Sequence, residues 1–163
     1  MYYQTDYCSP LGKMSLVADE THLCGLWFYG QKYFEKGFEG CYEVAETPLL
    51  HQVIVALNAY FTKSQKDPFG DIAIRPSGTA FQKRVWQLLR TLPQGEVTTY
   101  GALAQMLGNA SAQAVGNAIG HNPIMLIQPC HRVLASDGSL RGYSAGLEKK
   151  LGLLRHEDIP LDD

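Results

Sequence analysis

A turn at Arg75-Pro76-Ser77-Gly78 divides the chain into two halves with different hydrophobic patterns. Before it, apolar residues alternate in short segments, as in β-strands, and after it they recur at helical spacing. The charge balance changes at the same place, because residues 1–75 carry six Lys and Arg against nine Asp and Glu, whereas residues 76–156 carry eight against three. Turn residues at such a change are typical of a domain boundary. We therefore predict two domains, residues 1–75 and residues 76–163.

The first half has the pattern of a small α+β unit. Three alternating segments separated by turn residues predict an antiparallel meander: Tyr2–Tyr7, Met14–Ala18 and Leu23–Phe28. Apolar residues at helical spacing predict a helix from Pro48 to Thr62, and Phe69–Ile74 predicts a further strand.

The second half begins with three helical segments. Thr79 and Gln82 form the T-x-x-Q pattern of a capping box, and the helix that they begin ends before Pro93. Two more helices are expected, one capped by Thr98 or Thr99 and ending at Leu107, and one capped by Ser111 over Ala112–Ile119. Short helices joined by tight turns are typical of a helix-turn-helix, although any three-helix bundle has the same pattern.

The segments that follow favour a winged helix. Ile124–Ile127 predicts a short strand, and Val133–Gly142, with Asp137-Gly138 at its turn, predicts a β-hairpin. A last helix is expected over Leu147–His156. Helices followed by a hairpin are the arrangement of a winged helix-turn-helix.

Composition narrows the class of protein. The chain begins without a basic stretch and apolar run, and no apolar segment approaches the roughly 20 residues that span a bilayer, so we expect a cytoplasmic protein with no membrane partner. Its four cysteines are widely spaced, which favours reduced thiols over disulfides. Cys8, Cys24 and Cys41 lack the spacing of a zinc site with His22, and we expect them to be buried and inert.

The basic second half favours a polyanion as partner. The third predicted helix is unusual for a protein that reads DNA bases, because Ser111–Gly120 contains no Lys or Arg. A bidentate arginine contact to guanine is therefore not available there. Its small residues suit close approach to a minor groove or to the phosphate backbone, but they equally suit a helix packed inside the domain.

The segment Pro129-Cys130-His131-Arg132-Val133 contains a nucleophile, a base and a cation behind a rigid residue. A thiol is a strong nucleophile only as the thiolate, which nearby histidine or cationic groups favour. Adjacent side chains of a strand point to opposite faces, so a bend must turn His131 toward the sulfur, and Pro129 is the expected cause. Any chemistry of this chain is expected here.

Several motifs in the same order resemble the O6-alkylguanine-DNA alkyltransferases, the methylated-DNA protein-cysteine methyltransferases. The motifs are these: Gly95–Gly101, Ala114–Gly116, Gly120–Pro123, Pro129–Val133 and Gly142–Leu147. The resemblance covers about residues 79 to 157. It implies an α+β fold in which a small ribonuclease-H-like domain precedes a winged helix-turn-helix-like DNA-binding domain. It also implies a repair protein that moves the alkyl group of O6-alkylguanine, with O4-alkylthymine as a second candidate, to its own cysteine in one irreversible turnover.

The resemblance also implies the roles of the catalytic residues. Cys130 would accept the alkyl group, His131 would take the thiol proton through a water, and Glu157 would hold the imidazole. Tyr100 would be the general acid, with its hydroxyl donating to a ring nitrogen of the departing guanine and lessening the negative charge that develops there. A thiolate cannot reach a base inside the stack, so the nucleotide must be flipped out. Neither a cofactor nor a metal is implied.

The resemblance places further residues in the pocket and on the DNA-facing surface. The pocket would contain Tyr100, Val133, Tyr143, Ser144 and Asn122, of which Asn122 would tie the third helix to the active-site segment. The DNA-facing residues would be these: Ala112, Gln113, Ala114, Gly116 and Arg132. The implied partner is double-stranded DNA containing alkylated guanine, and we expect the protein to be a monomer.

Gln113 departs from the family pattern, in which an arginine enters the stack in place of the flipped nucleotide. Glutamine can hydrogen-bond an orphaned base but brings no charge, so we expect weaker DNA binding or slower extrusion of the nucleotide.

Two other functions stay open. A Cys-His-Glu set would also suit a cysteine hydrolase, and the chain would also suit an alkyl-lesion-binding or regulatory DNA-binding protein with little transferase activity.

Overall fold

The computed structural model describes residues 1–161, so Asp162 and Asp163 at the acidic end of the sequence lie outside the described residues. The chain forms two compact units. The first contains Met1–Ser77 and Pro123–Met125, and the second contains Gly78–Asn122 and the chain from Leu126 onward. A short segment of the second half therefore belongs to the first unit. No helix in residues 1–161 is long and apolar enough to cross a membrane.

A four-stranded sheet forms the first unit, in the order β3-β2-β1-β4. The predicted meander is confirmed, because β1 (Tyr3–Ser9), β2 (Gly12–Ala18) and β3 (Leu23–Phe28) pair antiparallel in sequence. The short β4 (Glu43–Val44) pairs in parallel with β1. Every residue of β3 is buried although it is the edge strand of the sheet, and isolated bridges to Ile74 and Ile124 cover its outer edge. Helix α1 (Pro48–Phe61) follows the sheet, and the Thr47 side chain caps it.

Phe69–Ile74 does not form the predicted strand. Only Ile74 makes a β-bridge, to Leu23. Phe69 and Ile72 are buried, but a turn brings them together, since the Ile72 N–H donates to the Phe69 carbonyl at 3.2 Å. The apolar residues of this segment therefore reach the core from a turn.

The predicted strand over Ile124–Ile127 is also wrong. Ile124 alone makes a β-bridge, to Leu26 of β3. The chain then turns, and Leu126 has a φ of 67°, in the left-handed region. A residue in that conformation cannot continue a strand. The apolar run reflects burial of residues 124–127 in a turn, which apolarity alone does not distinguish from a strand.

In its described part, up to Leu161, the second unit contains four α-helices and a small two-stranded sheet. The elements are these: α2 (Ala80–Leu89), β5 (Thr98–Thr99), α3 (Tyr100–Met106), α4 (Ala112–Gly120), β6 (Val133–Leu134) and α5 (Leu147–His156). The predicted caps are confirmed at Thr79, Thr99 and Ser111, whose side chains each accept a backbone N–H of the first turn. Helix α4 packs against α2 and α3, and Trp86 Nε1 donates to the Ala118 carbonyl at 2.8 Å.

The predicted hairpin over Val133–Gly142 is wrong. Strand β6 pairs in parallel with β5, with Val133 opposite Thr98. The Asp137-Gly138 turn forms, because the Ala135 N–H donates to the Ser139 carbonyl at 3.0 Å, but it leads into a loop instead of a second strand. The turn signal was correct, and the partner of β6 comes from a distant part of the chain.

The cysteines differ from one another in exposure. All four are free thiols. Cys24 is buried as expected, whereas Cys8 and Cys41 are exposed, which corrects the expectation for those two. Within residues 1–161, no group of three or more His, Cys, Asp and Glu side chains is placed to hold a metal ion.

Gly25 in β3 provides a test of the packing of the first unit. A Cβ added there would lie 1.9 Å from the ring of Trp27, which is buried beside Phe38. We expect Gly25→Ala to lower the free energy of unfolding by about 2 kcal/mol, because the buried Trp27 ring must shift within the core to make room for the methyl group. Denaturant unfolding measures the change. The control is Gly70→Ala, whose Cβ would meet nothing within 4 Å; equal stability of the two variants would contradict the prediction.

Candidate active site

A single 3-10 turn, Cys130–Arg132, carries the candidate nucleophile. It follows Pro129, as the sequence predicted, and its three side chains are buried. The Cys130 side chain is almost wholly enclosed, since only 1% of the residue is exposed. Asn122, which follows α4, and Lys150 of α5 both act on its sulfur, so separate parts of the second unit build the site.

His131 and Glu157 form a buried pair directly beside the cysteine in sequence. His131 Nε2 donates to Glu157 Oε2 at 2.6 Å. Glu157 caps the end of α5, and its backbone N–H donates to the Leu153 carbonyl, which fixes the backbone that carries the carboxylate. The other ring nitrogen of His131, Nδ1, is buried and has no hydrogen-bond partner among the described residues. The predicted base and orienter are thus in contact, and one nitrogen of the base stays available for a proton.

Arg132 lies on the same carboxylate and not on the surface. Its Nε donates to Glu157 Oε1 at 2.8 Å, and its Nη2 donates to Oε2 at 3.1 Å. Its Nη1 donates to the Leu92 carbonyl at 2.9 Å. Arg132 is buried, so its expected place among the DNA-facing residues is corrected: the guanidinium serves the active site.

The ionisation of this group follows from the contacts. Burial by itself would raise the pKa of Glu157, but the hydrogen bonds from His131 and Arg132 and the charge of Arg132 outweigh it and hold that pKa well below its usual range. Burial lowers the pKa of His131, and the Glu157 hydrogen bond only partly opposes this. At neutral pH the site therefore holds an ionised carboxylate bound to arginine, and a neutral imidazole that can accept a proton.

The sulfur of Cys130 has polar neighbours that favour its thiolate. Asn122 Nδ2 donates to Sγ at 3.2 Å. Burial raises the pKa of Cys130, while the Asn122 hydrogen bond and the charge of Lys150 lower it in part. The thiol therefore keeps its proton in this structure, and the neighbouring groups reduce the free energy needed to remove it.

Lys150 is a site residue that the sequence analysis missed. It is completely buried in α5, and its Nζ donates to the carbonyls of Val133 at 2.7 Å and Arg141 at 3.2 Å. Burial lowers its pKa to about 8, and Cys130 opposes the change. No carboxylate in residues 1–161 forms an ion pair with it. The signal was present, because a lysine three and four residues before Leu153 and Leu154 lies on the apolar face of the helix.

Four of the predicted pocket residues contact or act on Cys130 or Lys150: Tyr100, Val133, Asn122 and Tyr143. Tyr100 begins α3, and its ring lies 5.9 Å from Lys150 Nζ. Burial and the nearby Cys130 raise the pKa of Tyr100, so its hydroxyl stays protonated. Val133 is buried in β6, and Asn122 is buried after α4. Tyr143 and Ser144 are half-buried in the loop before α5.

The predicted DNA-facing residues occupy the start of α4. Ala112, Gln113 and Ala114 are exposed, while Gly116 is half-buried. A Cβ at Gly116 would lie 4.0 Å from the Tyr100 ring, so this face of α4 adjoins the pocket. The alternative that the whole helix is packed inside is therefore wrong, because only Val115, Ala118 and Ile119 are buried.

A buried cysteine with a histidine-carboxylate pair, in a unit where the short helices α3 and α4 pack together, fits a cysteine-dependent transferase built on a DNA-binding fold. The family model for the 6-O-methylguanine DNA methyltransferase DNA-binding domain matches residues 80–159, and the model for the ribonuclease-like domain of the same proteins matches residues 1–76. The chain belongs to this family of methylated-DNA–protein-cysteine methyltransferases.

Individual relatives agree along nearly the whole chain. A methylated-DNA–protein-cysteine methyltransferase of Haemophilus influenzae is 39% identical over 99% of this chain and 89% of its own length. One of Methanosarcina acetivorans is 40% identical over 96% and 98%. The crystal structure of the Mycobacterium tuberculosis O6-methylguanine methyltransferase superposes with a TM-score of 0.86 at 35% identity, covering 99% of this chain and 97% of that one.

Proposed function

We propose that this protein repairs O6-alkylguanine in double-stranded DNA by transferring the alkyl group to Sγ of Cys130. The sulfur attacks the alkyl carbon, an S–C bond forms, and the bond from that carbon to O6 of guanine breaks with its electron pair leaving on the base. The observation that carries the proposal is the buried set of Cys130, His131 and Glu157 in a chain of this family. The restored guanine stays in the DNA, and the alkyl group stays on the protein.

The proton of the thiol goes to His131. Its Nε2 is engaged with Glu157, so Nδ1 is the nitrogen that receives the proton, through a bridging water. The imidazolium that forms is stabilised by the ionised Glu157. Arg132 also donates two hydrogen bonds to the Glu157 carboxylate. Glu157 therefore stays ionised and does not take the proton from the imidazolium.

The departing guanine carries negative charge until it takes a proton, which the Tyr100 hydroxyl supplies and solvent water then restores to Tyr100. The hydroxyl of Tyr100 donates to a ring nitrogen of the flipped base, and the Ser144 N–H donates to the departing oxygen. The carbonyls of Cys130 and Val133 accept the exocyclic amine, while Tyr143 forms the pocket wall. The Val133 carbonyl already accepts a hydrogen bond from Lys150 Nζ. It can also accept one from the exocyclic amine, because a carbonyl oxygen has two lone pairs.

The reaction occurs once per molecule. A thioether, unlike a thioester, has no acyl carbon that water can attack, so alkylated Cys130 is not restored. The other three cysteines belong to the first unit of the chain.

O4-alkylthymine carries its alkyl group on a similar exocyclic oxygen and is a second candidate substrate.

The reaction needs a reduced thiol, and this supports cytoplasmic residence, where thiols are kept reduced. A monomer is sufficient for the proposed chemistry, because the second unit of one chain contains every residue used in it.

Mass spectrometry tests the proposal. The protein is incubated with a duplex oligonucleotide that carries one O6-methylguanine, digested and mapped. We expect one methyl group per molecule, confined to the peptide that contains Cys130. Binding without a mass increase would instead favour a lesion-binding protein, and catalytic turnover of a chromogenic ester without an adduct would favour a hydrolase. Removal of many methyl groups per protein molecule would contradict single use.

Gln113 offers a test of how the nucleotide is extruded. We expect Gln113→Arg to repair duplex DNA about tenfold faster, since a charged donor hydrogen-bonds an orphaned base more strongly by about 1.5 kcal/mol. Single-turnover rates on duplex and single-stranded oligonucleotides measure the effect, which should be confined to the duplex. The matched control is Asn117→Arg, which adds the same charge to another exposed position of α4. Equal gains from both variants would assign the effect to general electrostatic attraction.

A further inference from the structure

The amide of Asn122 is placed between the active-site sulfur and Gln128. Its Nδ2 donates to Cys130 Sγ at 3.2 Å and to the backbone carbonyl of Gln128 at 2.7 Å. Both N–H bonds of the amide nitrogen therefore have acceptors. One acceptor is the sulfur that becomes an anion in the proposed reaction.

An asparagine amide can be rotated by half a turn with little change in shape, so its orientation depends on its partners. Gln128 supplies the partner of the oxygen, because its Nε2 donates to Asn122 Oδ1 at 2.8 Å. After half a turn, Oδ1 would face the Gln128 carbonyl and the sulfur, and the two amide nitrogens would face each other. Gln128 thus disfavours the rotated state at both ends of the amide.

Gln128 occupies a buried position where an apolar side chain would carry a smaller desolvation penalty. It is buried, with 2% of the residue exposed, and its neighbours Leu126 and Ile127 are buried apolar residues. Burial of an amide is unfavourable unless hydrogen bonds replace those to water. The bond to Asn122 offsets this cost. An apolar residue of the same size would keep the backbone carbonyl that accepts from Asn122 Nδ2, but it would leave Asn122 Oδ1 without its donor.

We propose that Gln128 is a positioning residue that holds the Asn122 amide with its nitrogen toward the Cys130 sulfur. This rests on the proposed function, in which that sulfur attacks as a thiolate. A thiolate accepts hydrogen bonds and is destabilised by a facing oxygen, so the orientation of one amide changes the reactivity of the nucleophile. Gln128 acts through Asn122 and does not itself contact the sulfur in this arrangement.

Removing the Gln128 donor tests the proposal through the titration of Cys130. Gln128→Met keeps the length of the side chain and loses both polar atoms. We expect the thiol pKa to rise by about one unit and the rate of alkyl transfer at neutral pH to fall about tenfold. Thiolate absorbance against pH, with the Cys130→Ser protein subtracted, measures the pKa, and iodoacetamide labelling of the Cys130 peptide gives the second readout. Among the described residues, the ionisable groups that act on Cys130 are these: Lys150 of α5, Tyr100 of α3 and Tyr143.

A double-mutant cycle shows whether Gln128 acts through Asn122. In an Asn122→Ala background, Gln128→Met should leave the thiol pKa unchanged, because no amide is left to orient. The matched control is Gln31→Leu, which removes a buried glutamine of the first unit and should leave the thiol pKa unchanged. Gln128→Leu serves if the Met variant does not fold.

Two results would overturn the proposal: an unchanged thiol pKa in folded Gln128→Met or Gln128→Leu protein, or an equal rise in the presence and absence of Asn122. Failure of the proposed function is a separate outcome. In that case the wild-type protein takes no alkyl group from DNA, while the thiol titrations still differ between the glutamine and methionine proteins.

Discussion

Replacing Cys130 with serine is expected to reduce alkyl transfer by about 10⁴-fold or more, while binding to duplex DNA persists. A serine hydroxyl holds its proton far more tightly than a thiol, and the neutral His131 is too weak a base to form an alkoxide beside it. The side chains differ little in volume, and Asn122 can donate to the hydroxyl as it does to the sulfur. The fold and the exposed face of α4 therefore stay intact.

Two measurements on the same protein check this result. Mass spectrometry after incubation with a methylated oligonucleotide should show no adduct, and a gel-shift titration should give the wild-type affinity. Cys24→Ser is the matched control, because it changes a buried thiol in the first unit and should keep full transfer. A methyl group found on another cysteine of the Cys130→Ser protein would contradict the assignment of the nucleophile.

Glu157→Gln is expected to have the second largest effect, on both stability and rate. The carboxylate binds Arg132 through two nitrogens and His131 through a third, all buried. Glutamine leaves the arginine charge buried without its anion, so the free energy of unfolding should fall by about 3–5 kcal/mol. The rate should fall by about 10²-fold or more, because the imidazolium is no longer stabilised. Denaturant unfolding and single-turnover kinetics measure the two losses.

The pH dependence of stability separates the role of this carboxylate from ordinary packing. The pKa of Glu157 is lower in the folded protein than in the unfolded chain, so the unfolded state binds more protons as the pH falls. Its contribution is complete above the unfolded pKa and is lost progressively as the pH falls toward the folded one. Wild-type stability should therefore decline in acid below the ordinary glutamate range, and the decline should be smaller in Glu157→Gln. Glu148→Gln, an exposed change in the first turn of α5, should leave it unaltered.

Local signals predicted the helices of the second unit well. The capping residues Thr79, Thr99 and Ser111 each mark a helix start that the structure contains, because a cap depends on residues a few positions apart. The last helix, Leu147–His156, also has the predicted ends. The strands of the second unit were harder to predict, since their pairing depends on residues that are distant in the chain. Strand β6 illustrates this, because its partner Thr98 lies far back in the chain.

The sequence predicted the reacting groups of the candidate site, but it did not predict the buried polar residues that hold them in place. The motif and the resemblance named Cys130, His131 and Glu157, and the structure brings His131 and Glu157 into contact. Nothing in the sequence showed that Arg132 points inward, because an arginine beside a catalytic cysteine suits a DNA contact equally well. Gln128 and Lys150 are polar residues among apolar neighbours. Such an interruption marks a buried polar group, but its partners become known only from the fold.

The enclosure of Cys130 has a consequence for how long a molecule stays useful. A protein that reacts once is a consumable reagent, and any small electrophile that reaches its sulfur removes it from the active pool. Because only 1% of the residue is exposed and burial raises the pKa of its thiol, we expect idle molecules to react slowly with such compounds. The pool is then depleted by lesions encountered and not by time spent waiting.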